Sequence, residues 1–202
     1  MNIYLILAIC GMLSPIVYTA MWILGGIILS DYNHIRDDIS SLFAVDAPNR
    51  RLFQSFIIIS SVLLFIFYLG LHEAIPDGPG SIIGPLLFLA SSFLGILVAT
   101  FFPLDAGGEF ITLKGKMHLV LVAAMGILTI AGMVAIWIRL ASIEGWNTFA
   151  WYSLITAIVS FILVGIAAMF AKGRYRGLVE RLGVTPYQLY YFFISLMVFL
   201  TN

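Results

Sequence analysis

An aspartate and a histidine, thirteen residues apart, are the pair best suited to chemistry in this chain. Asp105 comes just after Pro103, which is expected to end one helix, and His118 stands at the start of the next. The two side chains are therefore expected at similar depth. A carboxylate beside an imidazole can orient the ring, raise its pKa or share a metal with it. A structural hydrogen bond that closes the turn between the helices is the alternative, and the sequence leaves both open.

A second polar group follows the first apolar segment. It holds five side chains that could bind a ligand: Asp31, His34, Arg36, Asp37 and Ser40. The apolar residues Ile35, Ile39, Leu42 and Phe43 recur at the spacing of one helix face. This spacing predicts a short interfacial helix that lies in the membrane surface or folds over the mouth of a helix bundle. A solvated amphipathic loop is the other interpretation.

A third group is basic and precedes the last apolar segment. Repeated arginine can bind phosphate or carboxylate groups, or the anionic head groups of lipids. Lys172 and Arg174 fit a topology signal better than a site. Arg181 adjoins the apolar segment, so we expect its side chain to point inward.

The elements that must position these residues follow from composition. Of the 202 residues, 62% are hydrophobic and 10% are charged, and the mean hydropathy is +1.08. An average soluble domain has about 25% charged residues. These values exclude a disordered chain and a nucleic-acid-binding protein and indicate a membrane protein.

Six uncharged windows separate the charged clusters, and each is long enough to cross a membrane as a helix of about 20 residues. Their apolar runs are continuous, whereas strands of a transmembrane barrel would alternate. The sequence therefore predicts an all-α bundle of six transmembrane helices forming a single integral membrane domain over 1–202. The predicted helices are at about 3–29, 52–71, 81–103, 117–138, 147–171 and 186–201. Ser91, Gly95 and Ala99 predict a close helix contact in the third.

The charges are one-sided. Six crossings place loops 31–51, 105–116 and 172–181 on one face, which then holds nine of the ten basic residues, Arg139 being the tenth. The positive-inside rule predicts a multi-pass cell-membrane protein with these loops in the cytoplasm. A binding site built from the basic residues would bias that count. Seven of the ten acids lie on the same face, which indicates ion pairs.

His72 and Glu73, on the other face, are interpreted as helix-end residues in water.

Several short segments, in order, resemble the multi-pass membrane family known as domain of unknown function 998. They are Tyr32 to Leu42, Ala47-Pro48-Asn49, Phe102 to Asp105 with the following glycines, His118, and Gly177 to Arg181. The resemblance covers nearly the whole chain and implies a six-helix bundle. It implies no activity, but it selects the same polar residues as the charge pattern.

Three functions fit these features. The preferred one is binding or handling of a lipid or other amphiphile with an anionic head group, using the eight residues Asp31, His34, Arg36, Asp37, Ser40, Asp105, His118 and Arg181. The first alternative is a membrane hydrolase or transferase with Asp105 and His118 as catalytic candidates. In its metal-dependent form a divalent ion would be held by Asp31, His34, Asp105 and His118.

The second alternative is a transporter of a small neutral solute. The helix interiors lack the ionisable residues typical of ion-coupled transport, which counts against a transporter and leaves only the passage of neutral solutes. No organic cofactor is predicted. Membrane lipid is the expected partner, and a homo-oligomer is left open.

Overall fold

Six long helices account for most of the computed structural model, which describes residues 2–170 and 173–202. Their bounds are Ile3–Ile28 (α1), Arg50–Ala74 (α2), Ile83–Phe101 (α3), Leu113–Leu140 (α4), Asn147–Phe170 (α5) and Arg176–Thr201 (α6). Two 3₁₀ helices, Ile39–Phe43 and Ala106–Gly108, lie in the connections. No β-strand occurs within the described ranges.

All six helices are long and apolar enough to cross a membrane. Large apolar side chains cover their outer surfaces; Ile27 is 74% exposed and Phe161 is 71% exposed. Such exposure would be costly in water but suits hydrocarbon, where each helix satisfies its own backbone hydrogen bonds. The predicted all-α bundle of six transmembrane helices is thereby confirmed.

The helices form a closed ring. Each packs against its neighbours in sequence, and α6 returns to pack against α1. Ser91, Gly95 and Ala99 lie buried on α3, as their spacing predicted. At Gly95 a neighbouring side chain, that of Met125 in α4, comes within 3.2 Å of the position a Cβ would take. Small residues here let α3 and its neighbours approach closely.

The two halves of the ring are packed differently. We call the face with the connections after α1, α3 and α5 the basic face. In the half away from it, aromatic side chains fill the interior: Tyr68 stacks on Phe88 at 5.1 Å, and Phe88 lies 5.7 Å from Tyr190. The half nearer the basic face instead holds a cavity, described below.

Two connections differ from the sequence prediction. The helix in the first loop is a 3₁₀ helix restricted to Ile39–Phe43, because Asp38 before it is extended and Asn33 caps a separate turn. Ile39, Leu42 and Phe43 are buried on the bundle as predicted, but Ile35 is 48% exposed.

Helix α6 begins at Arg176 rather than near 186, so Arg181 lies inside a helix and not in a loop. The uncharged window begins later than the helix does, because a helix can continue through charged turns at the membrane surface. Lys172 lies outside the described residues.

Candidate functional site

Arg181 connects the start of α6 to the first loop. Its Nη1 donates to the carbonyl oxygens of His34 at 2.7 Å and Asp37 at 2.9 Å, and Nη2 donates to the Tyr32 hydroxyl. The guanidinium also lies 5.3 Å from the ring centre of Trp22, a cation–π distance. The side chain points inward, as expected, and is 8% exposed.

The positive charge of Arg181 is not paired. Its hydrogen-bond acceptors are carbonyl and hydroxyl oxygens, and within the described ranges no carboxylate forms an ion pair with it. Its Nε is buried and has no hydrogen-bond partner. A buried charge without a counter-ion is costly, so this group is suited to bind an anion.

Neighbouring residues of α6 complete the contact with the first loop. Arg176 forms an ion pair of 2.8 Å with Asp38, and the Leu178 backbone N–H donates to the Ile35 carbonyl at 3.1 Å. Gly177 lies directly against the loop, since a Cβ there would be 2.3 Å from the carbonyl oxygen of Asp37. The start of α6 therefore holds the loop by both backbone and side-chain contacts.

Arg36 and Asp37 form an exposed pair beside this contact. Nε and Nη2 of Arg36 each lie 2.8 Å from an oxygen of the Asp37 carboxylate, in the two-pronged geometry typical of arginine and carboxylate. The hydrogen bonds from Arg36 lower the pKa of Asp37. Arg36 also donates to the carbonyl oxygen of Asp31. These three residues organise the loop surface and line neither of the two spaces described below.

Burial affects the other ionisable groups of the loop. It raises the pKa of Asp38, against the opposing charge of Arg176, and raises the pKa of Tyr32 to about 12. Burial and the charge of Arg181 lower the pKa of His34, whose ring packs edge-on against Trp22 and Tyr32, 5.4 Å from each. His34 is therefore an aromatic packing residue in this structure.

Asp105 closes the turn between α3 and α4. Its Oδ2 accepts hydrogen bonds from the backbone N–H groups of Ile111 at 2.7 Å and Thr112 at 2.8 Å, and Oδ1 accepts from the Thr112 hydroxyl. Thr112 in turn caps α4 through the N–H of Gly115. The hydrogen bonds from Thr112 and Ile111 lower the pKa of Asp105. This geometry fits the alternative in which the aspartate forms structural hydrogen bonds that close the turn. Its partner in the turn is Thr112 and not His118.

His118 is buried under the first loop, 4% exposed, with its ring 6.4 Å from that of Phe43. Its Nδ1 lies 2.8 Å from the carbonyl oxygen of Phe102. Because a carbonyl only accepts, Nδ1 carries a proton, and in the neutral tautomer Nε2 is then an acceptor.

The four predicted metal-ligating residues are not brought together. Asp105 accepts hydrogen bonds from Ile111 and Thr112, and His118 donates to Phe102. The ring of His34 packs against aromatic rings, and Asp31 is exposed. Among residues 2–170 and 173–202, no three His, Cys, Asp or Glu side chains are grouped so that they could hold a metal ion.

Two spaces adjoin these residues. The central cavity has a volume of about 190 Å³ and lies inside the ring, where Ser40, His118 and Glu180 line its end nearer the basic face. The groove, of about 530 Å³, lies between α1 and α6 on the outside and has Arg181 among its lining residues. Tyr18, Val184 and Gln188 line both spaces. Glu180, Tyr187 and Gln188 were not among the predicted site residues, because their inward direction depends on the rotation of α6.

A second buried arginine holds the opposite face. Arg139 is fully buried and donates to the carbonyl oxygens of Pro76 at 2.6 Å and Ile75 at 2.8 Å. It also lies 3.1 Å from Nδ1 of His72, so His72 is not simply a helix-end residue in water. Glu73 is 71% exposed, as interpreted. Nothing in the local sequence signals the contact between Arg139 and His72, because the residues lie on different helices.

The short segments on which the family resemblance rested build two features of the structure. They form the contact between α6 and the first loop, and they form the turn closed by Asp105. Neither a curated protein nor a solved structure matches the chain. A family model described as protein of unknown function (DUF998) matches residues 12–197. That match covers most of the chain, which therefore belongs to the DUF998 family of membrane proteins.

Proposed function

We propose that this protein binds an amphiphile with an anionic head group in the groove between α1 and α6. The observation that carries the proposal is the buried, unpaired guanidinium of Arg181, which lines this groove and has a free Nε. An anionic oxygen at this position would supply both the missing counter-charge and the missing acceptor.

The rest of the groove suits an acyl chain. Ile16, Ile23 and Leu189 line it and are 44–53% exposed toward the surroundings of the bundle. From Pro15 to Ile23 the lining of α1 extends over about 12 Å, the length of eight helical residues. Trp22 lies near the arginine, at the depth where tryptophan commonly marks the head-group region. The groove therefore suits the head group and the upper part of an acyl chain of a membrane lipid.

We also propose that the basic face is cytoplasmic. Arg36, Arg176 and Arg181 take part in the loop network, so they are weak topology signals. Among the described residues, four other basic residues of this face are nevertheless exposed, namely Arg51, Lys114, Lys116 and Arg174. Arg139, on the other face, is fully buried. The bias therefore persists when only exposed residues are counted, and it favours a site that faces the inner leaflet.

The enzyme hypothesis has less support. It requires Asp105 to orient His118, whereas the carboxylate is engaged by Ile111 and Thr112. In the part of the chain that the structure describes, no carboxylate contacts the Nδ1 of His118, which donates to Phe102. The amphiphile-binding proposal is therefore preferred.

Native mass spectrometry of the purified protein tests the proposal, using phosphatidylglycerol and phosphatidylcholine with identical acyl chains. We expect wild type to retain the anionic lipid preferentially and Arg181→Gln to lose this preference, with about a tenfold drop in affinity, because a charge-assisted hydrogen bond is lost. Arg51→Gln, an exposed arginine of the same face, is the matched charge control and should bind as wild type.

Because Arg181 also holds the first loop, a second variant blocks the groove without touching that contact. Leu189→Trp should fill the groove and weaken lipid binding. Leu182→Trp is its control, since Leu182 is about equally exposed on α6 and does not line the groove. Equal retention of phosphatidylglycerol by wild type, Arg181→Gln and Leu189→Trp would refute the proposal.

A further inference from the structure

The central cavity is a second site, distinct from the groove. It is enclosed by α1, α2, α3, α4 and α6, and the 3₁₀ helix Ile39–Phe43 covers it on the side of the basic face. An engineered apolar cavity of about 150 Å³ can bind benzene, so about 190 Å³ admits a molecule of roughly six to eight heavy atoms.

Most hydroxyl groups around the cavity are already hydrogen-bonded within the protein. Ser14 and Ser60 each donate to the other's carbonyl oxygen, at 2.9 and 3.0 Å. Ser91 lies 2.8 Å from the hydroxyl of Thr129, which also contacts that of Tyr191. These hydroxyl groups hold the helices together, so they have little hydrogen-bonding capacity left for a ligand.

At least four polar groups of the cavity wall can still form hydrogen bonds with a ligand. The hydroxyl of Tyr187, a residue 7% exposed, is buried and has no partner, and the amide oxygen of Gln188 is also buried without one. His118 presents Nε2 as an acceptor, because Nδ1 is committed to Phe102. Oε1 of Glu180 receives only a long contact of 3.5 Å from the Ser40 hydroxyl.

Each of these four groups can accept a hydrogen bond, and the Tyr187 hydroxyl can also donate one. A ligand that carries several donors would therefore satisfy them. Glu180 is the one acid of the wall, and no Lys or Arg among residues 2–170 and 173–202 lines the cavity, so the carboxylate also lacks a counter-ion within it. The rings of Tyr18, Phe43, Tyr187 and Tyr191 form much of the remaining wall, and aromatic faces attract cations.

We propose that the central cavity binds a small organic ammonium ion, with the charged nitrogen at Glu180 and an apolar body against the aromatic and aliphatic wall. The ammonium group supplies up to three N–H donors for Glu180 and for acceptors at the same end of the cavity, such as Nε2 of His118. This ligand class differs in charge from the anionic head group proposed for the groove, so the two sites are independently testable.

Isothermal titration of the purified protein in a neutral detergent tests the proposal, with cyclohexylammonium as the probe and cyclohexanol as its uncharged analogue of similar shape. We expect saturable binding of the ammonium ion and at least about tenfold weaker binding of the alcohol, because a charge-assisted contact is lost. Glu180→Gln should remove this preference. It keeps an oxygen that can accept from the Ile39 backbone N–H, as Glu180 does.

A second variant fills the cavity from another helix. Gly126 lines it, and a Cβ there meets only the Tyr187 hydroxyl, at an ordinary distance of 3.6 Å. Gly126→Val should therefore fold and lose ammonium binding. Gly165→Val on α5 is the matched control, since a Cβ at Gly165 has no neighbour within 4 Å, and it should bind as wild type.

Each of the following results would overturn the proposal. They are no saturable binding to wild type, equal binding of alcohol and ammonium ion, or unchanged ammonium binding in Glu180→Gln. Binding that persists in Gly126→Val would place the ammonium ion outside the cavity and would equally reject the site.

Discussion

Arg181 of α6 donates a hydrogen bond of 2.7 Å to the backbone carbonyl of His34, 147 residues earlier in the chain. The same side chain holds the first loop in place, lines the groove between α1 and α6, and has a buried Nε without a partner. The closing of the bundle at the basic face and the proposed anion site depend on the same residue. For this reason the lipid experiment requires a groove variant beside the arginine variant.

The contact between Gly177 and Asp37 predicts a sharp requirement for glycine. Gly177→Ala places a Cβ 2.3 Å from the Asp37 carbonyl oxygen, so α6 and the first loop must separate. We expect a loss of about 1–3 kcal/mol of stability, typical of overpacking, measured as a lower melting temperature of the purified protein. Gly165→Ala, with no neighbour within 4 Å, should be neutral or slightly stabilising through helix propensity. Equal melting temperatures for the two variants would contradict the contact.

The turn closed by Asp105 predicts a pH dependence of stability. The hydrogen bonds from Thr112 and Ile111 lower its pKa below the ordinary 3.8. Its stabilising effect is therefore complete above pH 3.8 and is lost as the pH falls through the lower pKa of the folded state. Asp105→Asn should melt earlier than wild type at pH 7, and the difference should shrink below pH 3.8. Glu109→Gln, an exposed acid of the same connection, should follow wild type throughout. A constant difference between Asp105→Asn and wild type would count against this role.

Arg139 predicts a purely structural effect on the face opposite the proposed sites. Arg139→Met leaves the carbonyl oxygens of Pro76 and Ile75 buried without their donor. An unsatisfied buried polar group costs about 1–3 kcal/mol, so we expect a loss of about 3 kcal/mol or more in thermal unfolding. Arg51→Met, at an exposed position, should change stability little. If folded Arg139→Met keeps the preference for anionic lipid, the role of Arg139 is separate from that of Arg181. A melting temperature equal to that of wild type would refute the prediction.

The one-sided exposed charges predict the topology. In a Cys10→Ser background, single cysteines at Glu109 and Glu144 report on the two faces, because both positions are exposed and lie in connections between helices. A membrane-impermeant thiol reagent applied to intact cells should label Glu144→Cys and spare Glu109→Cys until the membrane is permeabilised. The reverse pattern would place the basic face outside.

The helices could be predicted because their signals are local. A membrane-crossing helix needs a continuous apolar run of sufficient length, and each of the six runs is visible without knowing its neighbours. The ends of the helices were harder to predict. The charged turns before the last apolar run are helical, so α6 begins at Arg176. The inward direction of Arg181 followed from its place beside an apolar run.

The partners of the polar residues could not be predicted in the same way. Asp105 and His118 are correctly placed at neighbouring helix ends, but the aspartate bonds to Thr112 and the histidine to Phe102. The meeting of Arg139 with His72 joins α4 to α2 across 67 residues. Such pairs depend on distances of a few ångströms between elements that no local pattern relates.

The amino-acid sequence by itself therefore determined the class of protein, the number of helices and the face that carries the charges, since hydropathy and the positive-inside bias act segment by segment. Only the tertiary structure decided which groups are left without a partner. Helix rotation and ring closure direct Arg181 to the groove and turn Glu180 and Tyr187 toward the central cavity. The cost of burying such groups without a partner is the physical basis for both proposed sites.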